Sequence, residues 1–127
     1  MTGTDAREIR VSIETSYIPE QSQPERDRYV FAYTITIANT GTIAARLLRR
    51  HWIITDANNE VKEVHGDGVV GEQPRLQPGE TYQYTSGACL ETPIGCMQGN
   101  YDMVADDGVE FKAAIPPFTL SMPRALH

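Results

Sequence analysis

The run YVFAYTITIAN, residues 29–39, alternates without a break. Tyr29, Phe31, Tyr33, Ile35 and Ile37 fall on one side, and Val30, Ala32, Thr34, Thr36 and Ala38 on the other. A period of two sends successive side chains to opposite faces of an extended chain, and aromatic and β-branched residues suit that pleated surface. Both sets are apolar or β-favouring, so the run predicts a central strand covered on both faces. Asn39-Thr40-Gly41 then supplies a turn signal.

The same period recurs on either side of this run. Upstream, Ile9, Val11, Ile13 and Thr15 alternate with Arg10, Ser12 and Glu14, the pattern of a half-buried strand. Residues 18–27, IPEQSQPERD, hold two prolines among charged and polar groups and read as an exposed loop. Downstream, residues 46–55 carry Trp52, Ile53 and Ile54, and Asp56-Ala57-Asn58-Asn59 turns the chain into a short strand over 61–64. That pair predicts a hairpin. A further strand is expected over 81–85, followed by a long loop holding both cysteines. Residues 99–105 and 109–115 predict a second hairpin across Asp106-Asp107-Gly108, where Asp-Gly supplies the positive φ of the turn. Pro116-Pro117 should end that strand, because proline cannot donate to a ladder, with Phe118 and Leu120 as a short edge beyond.

No window sustains a helical period. The densest candidate, residues 44–50, runs straight into β-branched residues. About seven to eight short strands separated by turns predict an all-β fold, an antiparallel immunoglobulin-like β-sandwich. Leu76-Gln77-Pro78-Gly79 places an apolar plug before a rigid turn, as expected where the chain crosses between sheets. Trp52 is the expected core anchor, and Tyr101 (with Tyr82 as the other candidate) the expected tyrosine corner, its hydroxyl bonded to nearby backbone.

At 127 residues one domain is expected over 1–127, with its core at about 9–122. The chain holds 17 acidic and 11 basic residues, a net charge of −6. No apolar stretch approaches the roughly twenty residues of a membrane span. The amino-terminal MTGTDAREIR lacks the pattern of a secretory signal, so a cytoplasmic chain is expected. Cys89 and Cys96 are too few for a zinc site and are expected reduced. Arg46, Arg49, Arg50 and His51 cluster in one segment, and Asp102, Asp106, Asp107 and Glu110 in another, which reads as two solvated faces of opposite sign. No dense Lys/Arg run interleaves with aromatics, so nucleic acid is not an expected partner. Exposed sheet edges could pair two copies, and the prolines of residues 18–27 and Pro116-Pro117 would block such pairing, so a monomer or weak dimer is expected.

Residues 65–74, HGDGVVGEQP, contain Gly66, Gly68 and Gly71 in a formal G-x-G-x-x-G. A dinucleotide site would need a helix after it, yet Val69-Val70 and Gln73-Pro74 stop one. The Gly-Lys-Ser/Thr of a Walker loop is missing too. The plain reading is a bulge or wide turn. The sharper one is a nest of backbone N–H groups that cradles an anion, with Arg49, Arg50 or Arg75 as charged partner. His51, His65 and the terminal His127 are the only histidines. No metal site is expected; His65 and Asp67, with Glu72, come nearest to a ligand set but match no known spacing. Cys89 or Cys96 with His51 or His65 is arithmetically a nucleophile–base pair, and nothing in the spacing supports it. No G-x-S-x-G turn is present, no carboxylate pair stands out, and no cofactor is expected. The chain reads as a binding module, not an enzyme.

Several motifs act in combination: Arg50-His51-Trp52, Gly66-x-Gly68-Val69-Val70-Gly71, Gln73-Pro74, Pro78-Gly79, Tyr84-x-Ser86-Gly87, Gly99-x-Tyr101 and Ile115-Pro116-x-Phe118. Together they resemble the bacterial ApaG family over about residues 9–122. The resemblance implies a fibronectin type III-like β-sandwich. It implies an association with cobalt and magnesium efflux or resistance, and it attaches a suggested pyrophosphate role to the loop glycines Gly66, Gly68 and Gly71. Similar domains in eukaryotic F-box and polymerase-interacting proteins look like protein-interaction modules, so a protein partner is expected. Phosphate or pyrophosphate is the alternative ligand, and divalent-cation binding at the same loop is a variant of it. Cys96 is not part of the family pattern.

Overall fold

The structure, a computed structural model, describes residues 6–123, so His127 lies outside the described residues. Eight strands follow one another: β1 (Ile9–Tyr17), β2 (Tyr29–Asn39), β3 (Ala45–Asp56), β4 (Val61–Asp67), β5 (Arg75–Leu76), β6 (Thr81–Leu90), β7 (Ile94–Ala105) and β8 (Glu110–Ser121). Two single 3-10 turns, Pro19–Gln21 and Pro24–Arg26, lie in the loop before β2. One sheet has the order β1-β2-β6 and the other β4-β3-β7-β8, with β5 also paired to β3. Every pairing is antiparallel. The expected two-sheet β-sandwich is therefore present, and residues 45–50 belong to β3.

β2 is central in its sheet, as its alternation requires. Phe31, Tyr33, Ile35 and Ile37 point into the core, but the opposite face is only half-covered. That face is polar where it meets β6: the Thr34 and Thr85 hydroxyls bond each other at 2.8 Å, and Gln83 donates to the Thr36 hydroxyl. Only one face of this sheet meets the partner sheet, so the expectation of cover on both faces is corrected.

The core joins residues of both sheets. Trp52 is 2% exposed and lies edge-on to Tyr33 of the facing sheet (5.4 Å between centroids) and to Phe118 (5.9 Å). Leu76 is buried and pairs with Ala45 through β5. Asn39 is buried at the corner beside it, and all its side-chain polar atoms are used. Its amide donates to the carbonyls of Ile43 and Leu76, and its oxygen accepts from the Gly41 N–H. Tyr101 is fully buried, and its hydroxyl bonds the Tyr84 hydroxyl of the facing sheet instead of nearby backbone. It bridges the two sheets and does not form a tyrosine corner. Burial pushes the Tyr84 phenol up to about 12 and Tyr101 higher still, so both stay protonated.

Two further expectations change. β8 runs on through Pro116-Pro117, because it is an edge strand and its register with β7 shifts between Met97/Phe118 and Gly99/Ile115. The bulge takes up the two residues that have no N–H to donate. The long cysteine loop is also absent. β6 extends to Leu90 and β7 begins at Ile94, so Cys89 and Cys96 lie on strands of different sheets, both as free thiols. Gly99 sits where β7 approaches β3 closely: a Cβ there would come within 1.9 Å of the His51 carbonyl oxygen.

Candidate functional site

β4 leaves β3 through the turn at residues 56–59, where the Asp56 carboxylate accepts from the N–H groups of Asn58 and Glu60. This turn sets the register, which places Arg49 opposite Asp67, Arg50 opposite Gly66, and His51 opposite His65. Beyond Asp67 the glycine-rich segment folds as a turn, without a helix. The Gly68 N–H donates to the Leu48 carbonyl, and Val69 and Glu72 exchange two backbone hydrogen bonds at 2.8 and 2.9 Å. Val70 and Gly71 occupy the tip, both with positive φ (49° and 79°). Valine is rarely found in that region. Gly68 also has positive φ, and a Cβ there would meet the Glu72 carbonyl oxygen at 2.2 Å.

Arg50 explains another glycine. Its guanidinium donates to the carbonyls of Asp67 (3.0 Å) and Gly68 (2.9 Å). A Cβ on Gly66 would lie 2.7 Å from that guanidinium, so the missing side chain makes its slot. Arg50 thus clamps the loop through its carbonyls, while the Gly68, Val69 and Glu72 amides already donate to backbone.

The remaining charges interleave instead of forming two faces, which corrects the sequence reading. β3 and β8 flank β7, so basic and acidic residues meet across neighbouring strands. Arg49 pairs with Asp102 (3.2 Å) and Glu110 (3.5 Å), and Lys112 bonds Asp102 at 2.8 Å. Arg75 pairs with Asp106, and Arg7 with Asp107. The hydrogen bond from Lys112, followed by that from Arg49, holds the Asp102 carboxyl below the usual carboxylate range. Arg75 does the same for Asp106.

A shallow depression of about 380 Å³ opens where β3, β4 and β7 meet on the outer face. Arg49, Arg50, His65, Gly66 and Asp67 line it, together with His51 and Asp102. The depression thereby brings together Arg49, Arg50, Gly66, His65 and Asp67 of the expected anion and metal candidates, whereas Gly68 and Gly71 are not part of the lining.

Within this region a compact group was not legible in the sequence. The imidazoles of His51 and His65 stack across the ladder, with centroids 4.2 Å apart and planes 10° apart. The Glu63 carboxylate lies 3.8 Å from His51 Nε2 and 3.6 Å from His65 Nε2. His51 Nε2 is buried and has no hydrogen-bond partner among the described residues. Among the described residues these three form the one group with metal-ligand spacing, and it includes His65 but neither Asp67 nor Glu72. Its signal was the hairpin register, which joins residues 14 positions apart.

A second concave region lies on the side of the sandwich where β4 and β6 are the outer strands. Lys62 of β4 and Cys89, Leu90 and Glu91 at the end of β6 line two adjoining hollows, the larger about 550 Å³. β4 itself is exposed along almost its whole length, with Val61 at 59% and Val64 at 39%.

Known proteins are similar to this chain in sequence and in shape. Residues 19–105 match the ApaG domain family. Protein ApaG of Thiobacillus denitrificans is 64% identical over 120 residues, 94% of each chain. Protein ApaG of Dechloromonas aromatica is 61% identical over 127 residues, the whole of both chains. The crystal structure of the putative ApaA protein from Bordetella pertussis matches at a TM-score of 0.94 with 50% identity, covering 97% of this chain and all of that one. Among the described residues, no helix is long and apolar enough to cross a membrane.

Proposed function

The chain belongs to the ApaG family, and from that premise we propose that it is a non-enzymatic interaction module that docks a protein partner along β4. The observation that carries this reading is the state of that strand. Among the described residues β4 has one neighbour, β3, and its other edge is unpaired. It contains no proline, it exposes Val61 and Val64, and its Lys62 lines the hollow. An unpaired edge offers backbone donors and acceptors to an extended segment, and alternate side chains then read its sequence. The family's association with cobalt and magnesium efflux is, in this reading, the setting in which the partner acts.

Capture from cytosol with the full chain, followed by hydrogen exchange on the reconstituted pair, tests this. The expected result is a specific protein that protects the amides of Val61–Asp67 and is lost with the Val61→Lys/Val64→Lys double variant. Protection elsewhere, or capture indifferent to that variant, defeats the proposal. A clean preparation that turns over a nucleotide or dinucleoside polyphosphate defeats its non-enzymatic part.

A second reading is supported by the depression beside Arg49 and His65. Basic side chains converge there, so phosphate or pyrophosphate is a candidate ligand. With the Gly68 and Val69 amides engaged, side chains would hold the anion. Pyrophosphate titration should then move the Arg49 and His65 side-chain resonances more than the amides of residues 66–71. Unmoved resonances at both places would remove this reading.

A further inference from the structure

We propose that His51, Glu63 and His65 form a three-ligand site for a borderline divalent transition-metal ion, of the class of zinc, cobalt(II) or nickel, on the outer face of the five-stranded sheet. His51 and His65 face each other across one hairpin and Glu63, opposite Ile53, lies two residues from His65, so the backbone ladder holds their Cα positions before any ion arrives. Metal–nitrogen and metal–oxygen distances of about 2.0–2.2 Å in a tetrahedron place ligand atoms roughly 3.3–3.6 Å apart. The carboxylate lies 3.6 and 3.8 Å from the two imidazole nitrogens, and the three ligand atoms are all within 4.8 Å of one another. Closing the site needs side-chain movement only, not a rearrangement of the sheet.

His51 supplies the strongest argument. Its Nε2 is buried and, among the described residues, unpartnered. A buried polar atom without a partner is unfavourable and usually finds a hydrogen bond, a water or an ion. The Glu63 oxygen is too far at 3.8 Å to be a hydrogen-bond partner. An ion held between them satisfies both groups.

The other two ligands have the freedom to complete the site. The side chain of His65 is 69% exposed and that of Glu63 57%. The near-parallel stack of the two rings must open for both nitrogens to aim at one ion, and His65 can turn outward to do so. Two imidazoles and one carboxylate suit zinc, cobalt(II) and nickel, whereas magnesium demands an octahedron of oxygens. The fourth position faces solvent and would hold water or a donor from another molecule. The site uses side chains of β3 and β4 only, so it stands whether or not β4 pairs with a partner.

Cobalt(II) titration of the full, untagged chain tests the proposal by absorption and by side-chain NMR. One equivalent should bind at micromolar metal, with visible d–d bands and selective broadening of the His51 and His65 ring signals. His65→Ala and Glu63→Ala should each weaken binding by at least tenfold. Both positions are exposed, and unchanged far-UV circular dichroism of the metal-free variants checks that they fold. His127→Ala, which removes the terminal imidazole, should leave binding unchanged. Zinc should compete and magnesium should not. Saturation only at millimolar cobalt overturns the site, as does binding that survives His65→Ala. Broadening confined to His127 overturns it as well.

Discussion

The two sides of the sandwich are finished differently. On one, β1 lies against β8, and β8 carries Pro116-Pro117 in a bulge. Its edge has fewer donors to offer, and the sheets meet there. On the other, β4 and β6 are the outer strands, neither contains proline, and hollows lie between the sheets beside Lys62 and Leu90. Natural sheets usually protect their edges. The fold protects one side and leaves the other open, and the proposed docking of a partner uses the open side. Its interior joins, by contrast, tolerate little change.

The contrast can be tested by substitution. The largest loss is expected at the join of β3 and β7. Gly99→Ala drives a methyl into the His51 carbonyl and should cost about 3 kcal/mol or more, or prevent folding, as read by urea unfolding. Next comes the hydroxyl bridge between the sheets. Tyr84→Phe leaves the buried Tyr101 hydroxyl without its partner and should cost about 1–3 kcal/mol. The double variant Tyr84→Phe/Tyr101→Phe should recover much of that loss, because no orphaned group then remains.

A smaller effect is expected from the charges between β3, β7 and β8. The carboxyl of Asp102 is held below its usual range by Lys112 and Arg49. Its folded pKa is thus lower than its unfolded value of about 3.9, so it stabilises the fold above that pH and loses this effect as pH falls through the folded value. Urea midpoints measured from pH 6 downward should decline below about pH 4, and Asp102→Asn should flatten that decline. The smallest effect on stability belongs to the open side. Val61→Lys/Val64→Lys should change unfolding free energy by no more than about 0.5 kcal/mol per site while abolishing partner capture. If it destabilises as much as Tyr84→Phe, the open side is part of the core and the contrast fails.

Much of the fold was legible because short-range chemistry sets it. The alternation of residues 29–39 marked β2, and Asp106-Asp107-Gly108 marked the β7–β8 hairpin, where Gly108 does adopt positive φ. Trp52 and Leu76 were legible as core for the same reason. Pro116-Pro117 misled because the local rule assumes a strand with two neighbours, and β8 has one. The charge clusters misled because linear segments said nothing of β3 lying beside β7. The histidine pair depended on register alone. A hairpin over residues 46–64 could be foreseen, but a slip of one residue would send His65 to the other face. Only the pairing fixed by the Asp56 turn brings it to His51 and Glu63.

The position of Trp52 has an optical consequence. It is the chain's single tryptophan, shielded from water and held edge-on to an aromatic ring from each sheet. Its emission should therefore be blue-shifted in the folded protein and excited in part through Tyr33. Any event that parts the two layers, whether heat, denaturant or an inserted strand, would redden that light. The protein carries its own gauge of the gap between its sheets, and no dye need be attached to read it.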